Sequence, residues 1–191
     1  LVQEALENGV EASVILEKGL IPALNEVGIK FKNNEIYVPE MLLAGKAMSA
    51  GIKVLEPLLS LTGAKPIGTA VIGTVRGDIH DIGKNLVRMM MEGKGLEVID
   101  LGNDVAPERY VETAVKENCN IIACSALLTT TMGQMENVVK LAKEAGIRDK
   151  VLIMVGGAPV TQAFCEQIGA DKYTNDATSA AEAAVAYCKA L

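Results

Sequence analysis

Segment 78–83, with the sequence DIHDIG, contains the one histidine of the chain, His80. A neutral imidazole is a good ligand for a transition metal. Asp78, two residues earlier, can accept a hydrogen bond from the other ring nitrogen, which fixes the tautomer and makes the ligating nitrogen more basic. Gly83 lets the backbone approach a bulky group. Because one protein ligand cannot hold a free metal ion, a metal at His80 should arrive inside a macrocycle, either a haem or a corrinoid.

Two further segments combine glycine with hydroxyl groups, namely 125–131 (SALLTTT) and 156–159 (GGAP). Each has a purely structural alternative. Asp78 could cap the following helix, the threonine run could cap a helix that starts near residue 131, and the glycine pair could form a tight turn. Only their common placement in the fold favours a binding site over these alternatives.

That placement follows from an alternation of short apolar runs with helical patterns. Continuously apolar strands that alternate with helices are typical of a parallel sheet covered on both faces, and the expected strand order is 2-1-3-4-5. The carboxyl ends of strands one, three and four then bring the three loops to one edge. The predicted strands are 68–75, 96–101, 120–125, 151–155 and, more weakly, 171–174, with helices near 80–93, 107–117, 131–145, 160–169 and 177–190.

The first third of the chain is predicted to be helical only. One helix places Ile21, Leu24, Gly28 and Phe31 on a common face, with Pro22 tolerated in its first turn. After a polar break at 31–37, a second helix opens at Pro39 with apolar positions at Met41, Ala44, Met48, Ile52, Leu55 and Leu59. Segment 61–67 (LTGAKPI) is predicted to link a small helical bundle, residues 1–64, to an α/β domain, residues 65–191.

Composition excludes several function classes. The 191 residues are 50% hydrophobic with a net charge of -6, and no apolar run reaches the roughly 20 residues that span a bilayer. Without a basic cluster, neither nucleic acid nor a membrane is an expected partner. The four cysteines form no CxxC motif and are expected to be free thiols of a cytoplasmic protein, at Cys119, Cys124, Cys165 and Cys188.

The string GDIHDIGKN at 77–85 resembles the DxHxxG signature of cobalamin-binding domains. These occur in methionine synthase, in the methylmalonyl-CoA and glutamate mutases and in small corrinoid methyl-carrier proteins. Ser125-x-Leu127 and Gly156-Gly157 are similar to the SxL and GG elements of that family, and the helical third resembles the cap bundle of methionine synthase. The resemblance therefore covers nearly the whole chain and implies a flavodoxin-like, Rossmann-like B12-binding domain behind a helical cap.

The resemblance also implies roles for individual residues. A cobamide, cobalamin or another, would bind with its own lower base displaced from cobalt, and His80 would take the vacated lower axial position. Asp78 would hydrogen-bond His80, and Thr131 would complete the ligand relay where methionine synthase has a serine. Ser125, Leu127 and Thr129 would line the slot for the nucleotide tail. The full set of implied contacts is Gly77, Asp78, Ile79, His80, Asp81, Ile82, Gly83, Ser125, Leu127, Thr129, Thr131, Gly156, Gly157 and Ala158.

In methionine synthase, apolar side chains of the cap shield the upper face of the corrin. The resemblance offers four residues for that role here, and helical core packing is the alternative for all of them. They are Tyr37, Val38, Met41 and Ala44.

The chain has no room for a barrel that activates a methyl donor, so the resemblance implies a methyl-carrier subunit rather than a complete enzyme. Its partners would be a substrate-specific methyltransferase, an acceptor methyltransferase using tetrahydrofolate or coenzyme M, and a reductive activation protein. A cobamide-binding sensor or storage module and a detached small subunit of a B12-dependent mutase are the alternatives. A flavodoxin-like or receiver-like domain without corrinoid is a further one, although the loops lack the aromatic rings that a flavin needs and the acidic cluster that a receiver needs.

Overall fold

A computed structural model of the chain describes residues 1–61 and 66–191. The first part, the helical segment 1–61, is helical as predicted. Its elements are α1 (Val2–Glu7), α2 (Ala12–Val14), a π-helical turn (Ile15–Leu20), α3 (Ile21–Lys32) and α4 (Val38–Leu61). The predicted linker and the boundary between residues 64 and 65 fall on or beside residues 62–65, which lie outside the described residues, so this boundary stays a prediction.

The π-helical turn joins α2 directly to α3, so the helix runs on from Ala12 to Lys32. Pro22 lies in the first turn of α3, as predicted, but that turn is not a free helix start. Proline has no N–H group to donate within a helix. The change from π-helical to α-helical hydrogen bonding beside Pro22 lets the helix continue in spite of this missing donor. The polar break before α4 is a turn that includes Asn34 at a φ of 59°.

The second part is a five-stranded sheet in which all strands are parallel, in the order β2-β1-β3-β4-β5. This confirms the predicted order, and the strand ends differ from the prediction by no more than two residues. The strands are β1 (Thr69–Thr74), β2 (Glu97–Asp100), β3 (Ile121–Ser125), β4 (Leu152–Gly156) and β5 (Lys172–Tyr173). The helices between and after them are α5 (Ile82–Gly93), α6 (Pro107–Lys116), α7 (Gly133–Glu144), α8 (Gln162–Ile168) and α9 (Ala177–Lys189).

Alternate residues of the central strands enter two separate cores, because successive side chains of a strand point to opposite faces. One core packs against α6, α7 and α8, and the other against α5, α9 and the helical segment. The first takes Val71, Ile122 and Ile153, and the second takes the neighbouring row Ile72, Ala123 and Met154.

The helical segment shares the second core with α5 and α9. Leu24 of α3 and Met41 of α4 are buried there together with residues of the sheet. Gly28 lets α3 come close, since a Cβ at that position would lie 2.9 Å from both Met90 Cε and Thr178 Oγ1. The Thr178 hydroxyl also donates to the Gly28 carbonyl at 3.2 Å. The helices of the first third thus form a layer against one face of the α/β part.

Within residues 1–61 and 66–191, no helix is both long and apolar enough to cross a membrane. All four cysteines are free and buried, as predicted.

Candidate functional site

The loop after β1 holds His80 against a buried carboxylate. The ring atom Nδ1 of His80 lies 2.7 Å from Asp78 Oδ1, which also accepts the backbone N–H of His80 at 3.0 Å. The Asp78 side chain has no exposed surface, whereas 48% of the His80 side chain is exposed. The pair predicted from the sequence is therefore formed, with its carboxylate inside the protein and its imidazole at the surface.

The other oxygen of the carboxylate ties this loop to the loop after β3. Asp78 Oδ2 accepts the N–H groups of Leu127 at 2.7 Å and Leu128 at 3.1 Å. Burial alone would raise the pKa of the Asp78 carboxyl, but the hydrogen bonds from the backbone of His80 and Leu127, from the His80 ring and from Leu128 outweigh it. Together they hold that pKa well below its usual range, so the carboxylate is ionised at neutral pH.

This charge state decides which ring nitrogen carries a proton. An ionised carboxylate can only accept hydrogen bonds, so Nδ1 of His80 must be the donor. In the neutral ring Nε2 then carries the lone pair, and within the described residues it has no hydrogen-bond partner. An imidazole oriented through Nδ1, with Nε2 unpaired, has the form that a metal-ligating histidine takes.

Thr131 is the third member of the predicted relay, and its side chain faces the carboxylate. Its Oγ1 lies 3.3 Å from Asp78 Oδ2 and 2.8 Å from the Leu128 carbonyl oxygen, so its single proton has two acceptors. Thr129 belongs to the same 3₁₀ turn, Thr129–Thr131, but is exposed. Positions two apart in a turn of three residues point in different directions, so only one of the two threonines can face the carboxylate.

The structural alternatives for these loops have distinct outcomes. Asp78 does not cap α5, because the N-cap residue is Asp81, whose side chain makes no capping bond within the described residues. The threonine run does not cap α7 either, since Met132 occupies that N-cap. The glycine pair does form a turn, in which Val160 N–H donates to the Gly157 carbonyl at 3.0 Å.

Gly157 is required by its surroundings. Its φ is 131°, and a Cβ there would overlap the carbonyl oxygen of Ala126 and lie 2.8 Å from the Ala126 carbonyl carbon. Backbone atoms cannot give way as the end of a flexible side chain can. The loop after β4 therefore lies directly against the loop after β3, and only glycine permits this contact.

A loop that the sequence reading did not select braces the histidine loop from the side of β2. Asp104 accepts the Gly77 N–H at 2.7 Å, and its own N–H donates to the Asp78 carbonyl at 2.9 Å. Asn103 donates to the Ile79 carbonyl at 3.3 Å. The sequence signal for this loop was the turn motif GND at 102–104. In the structure Asp104 has a φ of 52°, which aspartate adopts more readily than most residues.

The three predicted loops surround one cavity of about 710 Å³ at the carboxyl edge of the sheet. Four predicted site residues are not among its lining. Asp78 and Thr131 are buried behind the cavity surface as support, whereas Gly77 and Thr129 are exposed and lie outside the cavity. The predicted residues that do line it are Ile79, His80, Asp81, Ile82, Gly83, Ser125, Leu127, Gly156, Gly157 and Ala158.

Part of the cavity comes from elements that the sequence reading missed. The loop after β5 and the start of α9 form one wall, with Thr174, Asn175 and Asp176 at the rim. The helical segment contributes Phe31, at the end of α3. The rule that ligands sit at the switch between β1 and β3 directs attention to the loops after β1, β3 and β4, so it does not select the fifth loop.

The four residues expected to shield the corrin are not among the residues that line this cavity. Met41 is buried in the second core, where Val38 and Ala44 pack against it in part. Tyr37 is exposed and borders a second hollow beside Phe31. In this arrangement of the helices, Met41, Val38 and Ala44 pack in the core, which is the alternative to shielding a corrin.

The surface around His80 is apolar and open. Ile79 is 72% exposed and Ile82 61% exposed, and both line the cavity with Leu127. At Gly83 an added Cβ would meet nothing within 4 Å. Large exposed apolar side chains beside an oriented imidazole fit a broad, flat, apolar group that brings its own metal. The residues present, with His80, Ile79, Ile82 and Leu127 all lining one cavity, therefore fit a corrinoid.

Cys124 also lines the cavity, and it could compete as a metal ligand only as a thiolate. Burial raises the pKa of its thiol to about 12. The group is therefore protonated at neutral pH and acts as a small apolar residue.

Comparison with known proteins agrees with this geometry. The sequence matches the B12 binding domain family over residues 68–185, which include all five strands and every loop of the cavity. The chain belongs to the B12-binding protein family. A second B12 binding domain profile matches residues 1–56, so the helical segment also corresponds to part of a B12-binding protein.

The relatives of this B12-binding protein span almost its full length. A dimethylamine corrinoid protein of Methanosarcina barkeri is 45% identical over 181 residues, which are 94% of this chain and 84% of the relative. A chain of the methanol:cobalamin methyltransferase complex of the same organism superposes with a TM-score of 0.86 at 31% identity, over 100% of this chain and 72% of that one. A cobalamin-binding protein of Desulfitobacterium hafniense superposes with a TM-score of 0.83 at 29% identity, over 97% and 88%.

Proposed function

We propose that this B12-binding protein is a corrinoid methyl carrier. It binds a cobamide with the lower base displaced and His80 as the lower axial ligand, and it carries a methyl group between two methyltransferases. The observation that supports this most directly is the half-exposed imidazole, which lines the cavity and whose Nδ1 is tied to the ionised Asp78. The family match supports the cofactor independently of this geometry.

When bound, the cobamide supplies a cobalt centre that can accept and release a methyl group. The protein supplies the lower ligand and controls its proton. Asp78 Oδ1 holds a proton on Nδ1 of His80 and so leaves Nε2 as the ligating atom. Thr131 Oγ1 lies 3.3 Å from the other carboxylate oxygen, Asp78 Oδ2. It can donate a hydrogen bond to the carboxylate when the hydrogen bond between the carboxylate and the imidazole changes.

The names of the relatives support the choice of partners. One relative is a dimethylamine corrinoid protein, and another forms part of a methanol:cobalamin methyltransferase complex. The partner that loads this chain is then a methyltransferase specific for a methylated donor, and the higher identity to the dimethylamine protein, 45% against 31%, favours a methylamine. An acceptor methyltransferase that uses tetrahydrofolate or coenzyme M and a reductive activation protein complete the proposed cytoplasmic system.

The first test is the ultraviolet–visible spectrum of the protein after reconstitution with hydroxocobalamin and desalting. We expect the wild type to retain the corrinoid. His80→Ala should bind it about ten-fold or more weakly and show a changed spectrum, because the lower ligand is gone. His80→Gln is the matched control, since its amide can still donate to Asp78 but cannot replace the imidazole at the metal. It should therefore behave like His80→Ala, and an unchanged spectrum and affinity in both variants would contradict the axial role.

A second measurement separates a carrier from a sensor or storage module. The cobalamin-loaded protein is incubated with a methylamine methyltransferase and its methylated donor under reducing conditions, and the cobalamin spectrum is followed. Methylation and subsequent demethylation by an acceptor methyltransferase are expected. Stable cobalamin binding without methyl exchange would favour the sensor or storage alternative.

A further inference from the structure

The loop after β2, residues 101–104, lies beside the loop after β1 and is anchored on two elements. Its anchor is the carboxylate of Asp100 at the end of β2, which accepts the Gly102 N–H at 2.9 Å. Lys84, in the first turn of α5, holds the same carboxylate with its Nζ 2.6 Å from both oxygens, and only 2% of the Lys84 side chain is exposed. The Gly102 carbonyl in turn accepts the Thr74 N–H at 2.9 Å, so the loop is tied to both α5 and β1.

Asp104, at the end of this loop, holds the loop after β1 at two points. Its carboxylate accepts the Gly77 N–H at 2.7 Å, and its own N–H donates to the Asp78 carbonyl at 2.9 Å. These two groups belong to the peptide units on either side of the Gly77–Asp78 pair. Because Gly77 has a φ of 84°, the chain turns sharply here, and holding both ends of the turn fixes the position of the Asp78 backbone.

The carbonyl groups that follow Asp78 are held as well. Asn103 Nδ2 donates to the Ile79 carbonyl at 3.3 Å, and the hydroxyl of the buried Thr74 donates to the His80 carbonyl at 2.9 Å. The Asp78 carboxylate, which orients the imidazole, is instead held by the loop after β3. The loop after β3 therefore orients the ring, and the loop after β2, together with β1, locates the backbone that carries it.

We infer that Asp104 is a positioning residue for the axial histidine. The inference rests on the proposed coordination of cobalt by His80. A functional constellation tolerates misplacement of only about 0.5 Å and roughly 10–20°. Asp104 is exposed, so water can pair with the Gly77 N–H when the carboxylate is removed, and the fold is retained. Water does not fix the separation of the two loops, so the loss falls on the cobalt–histidine bond.

Two variants at position 104 separate the carboxylate from the backbone conformation. The φ of 52° at Asp104 lies in the left-handed region, which glycine and asparagine both tolerate. Asp104→Asn keeps an oxygen that can accept the Gly77 N–H, whereas Asp104→Gly removes it. Both variants retain the N–H that donates to the Asp78 carbonyl, so the acceptor for Gly77 is the difference between them.

The measurement is a cyanide titration of the cobalamin-loaded protein, followed by its ultraviolet–visible spectrum. The first cyanide takes the upper position on cobalt, and the second must displace His80 from the lower one. The cyanide concentration at half displacement therefore reports the strength of the cobalt–histidine bond. It should fall about ten-fold in Asp104→Gly, the lower limit for losing an outer partner of a metal ligand, and stay within about two-fold of the wild type in Asp104→Asn. Only folded, loaded protein contributes to the spectrum, so a change in the folded fraction does not shift this midpoint.

The outcomes separate the inference from the proposed function. A midpoint in Asp104→Gly equal to that of the wild type would overturn the inference and leave the proposed function intact. An equal fall in Asp104→Asn would also overturn it, because the acceptor for Gly77 would then not matter. A midpoint in His80→Ala equal to that of the wild type would show that His80 is not bound to cobalt and would overturn both.

Discussion

Two loops at the carboxyl edge of the sheet are held in place by different forces. The loop after β1 is fixed by hydrogen bonds that converge on the buried, ionised Asp78. The loop after β4 is fixed by close packing, because Gly157 lies against the Ala126 carbonyl without room for a Cβ. Both loops touch the loop after β3, one from each side. The first arrangement depends on charge and the second only on volume. We therefore expect different conditions to destabilise the two loops.

The largest effect is expected from Gly157→Ala. A methyl group there overlaps a backbone oxygen at a φ that alanine strongly disfavours, so the free energy of unfolding should fall by more than about 4 kcal/mol. Gly156→Ala is the matched control, because its Cβ would meet only the Thr174 carbonyl oxygen at an ordinary 3.7 Å. Urea denaturation at two pH values should show a loss in Gly157→Ala that does not depend on pH. Equal stability of the two variants would contradict the packing argument.

Asp78→Asn should have the next largest effect, and it should depend on pH. The amide cannot accept from all the N–H groups that face the carboxylate, so we expect a loss of about 3 kcal/mol at pH 7. The folded-state pKa of Asp78 lies well below the unfolded value, so its stabilisation is complete above about pH 4 and is lost as the pH falls.

The stability gap between wild type and Asp78→Asn should therefore be constant above about pH 4 and shrink by about 1.4 kcal/mol for each pH unit below it. Asp81→Asn, in the same loop but without a capping hydrogen bond within the described residues, should show little change. A gap that widens in acid would show that the carboxylate is protonated in the folded protein.

The smallest effect is expected from Thr131→Val. Its hydroxyl lies closer to the Leu128 carbonyl than to Asp78, and the carboxylate oxygen keeps two backbone donors without it. We expect a loss of about 1 kcal/mol or less in the free energy of unfolding, measured by urea denaturation at pH 7. The exposed Thr129→Val should change neither stability nor cobalamin affinity. A larger loss of stability from Thr129→Val than from Thr131→Val would mean that Thr129, and not Thr131, faces Asp78.

The strand order and the pairing of Asp78 with His80 could be predicted because both follow from local patterns. Apolar runs alternate with helical ones, and a spacing of two residues lets a carboxylate reach the imidazole. The choice between Thr129 and Thr131 depends on the turn that carries them. Because the threonine run was predicted as a loop, there was no reason to exclude Thr129 from the site. In the 3₁₀ turn the side chains of Thr129 and Thr131 point in different directions.

The remaining parts of the site depend on contacts between distant segments, which a single sequence does not encode in any spacing. Asp104 reaches Gly77 across the gap between β2 and β1, and Phe31 approaches the cavity because α3 packs beside α5 and α9. Of the two roles that the sequence left open for Met41, shielding a corrin and helical core packing, the structure shows core packing. An apolar stripe on a helix shows that a face is buried and does not show which surface buries it.

The close contact of Gly28 with Met90 and Thr178 also limits how the chain can be re-engineered. The helical segment has a small core of its own around Ala12, Ile15 and Leu55, but α3 and α4 also complete the larger core that begins at the sheet. A chimera that takes its helices from one parent and its α/β part from another would set Gly28 against a surface shaped for a different partner. The helical segment should therefore be exchanged only together with the elements that share its core, and a designer who wants new partner preferences should exchange exposed positions rather than whole segments.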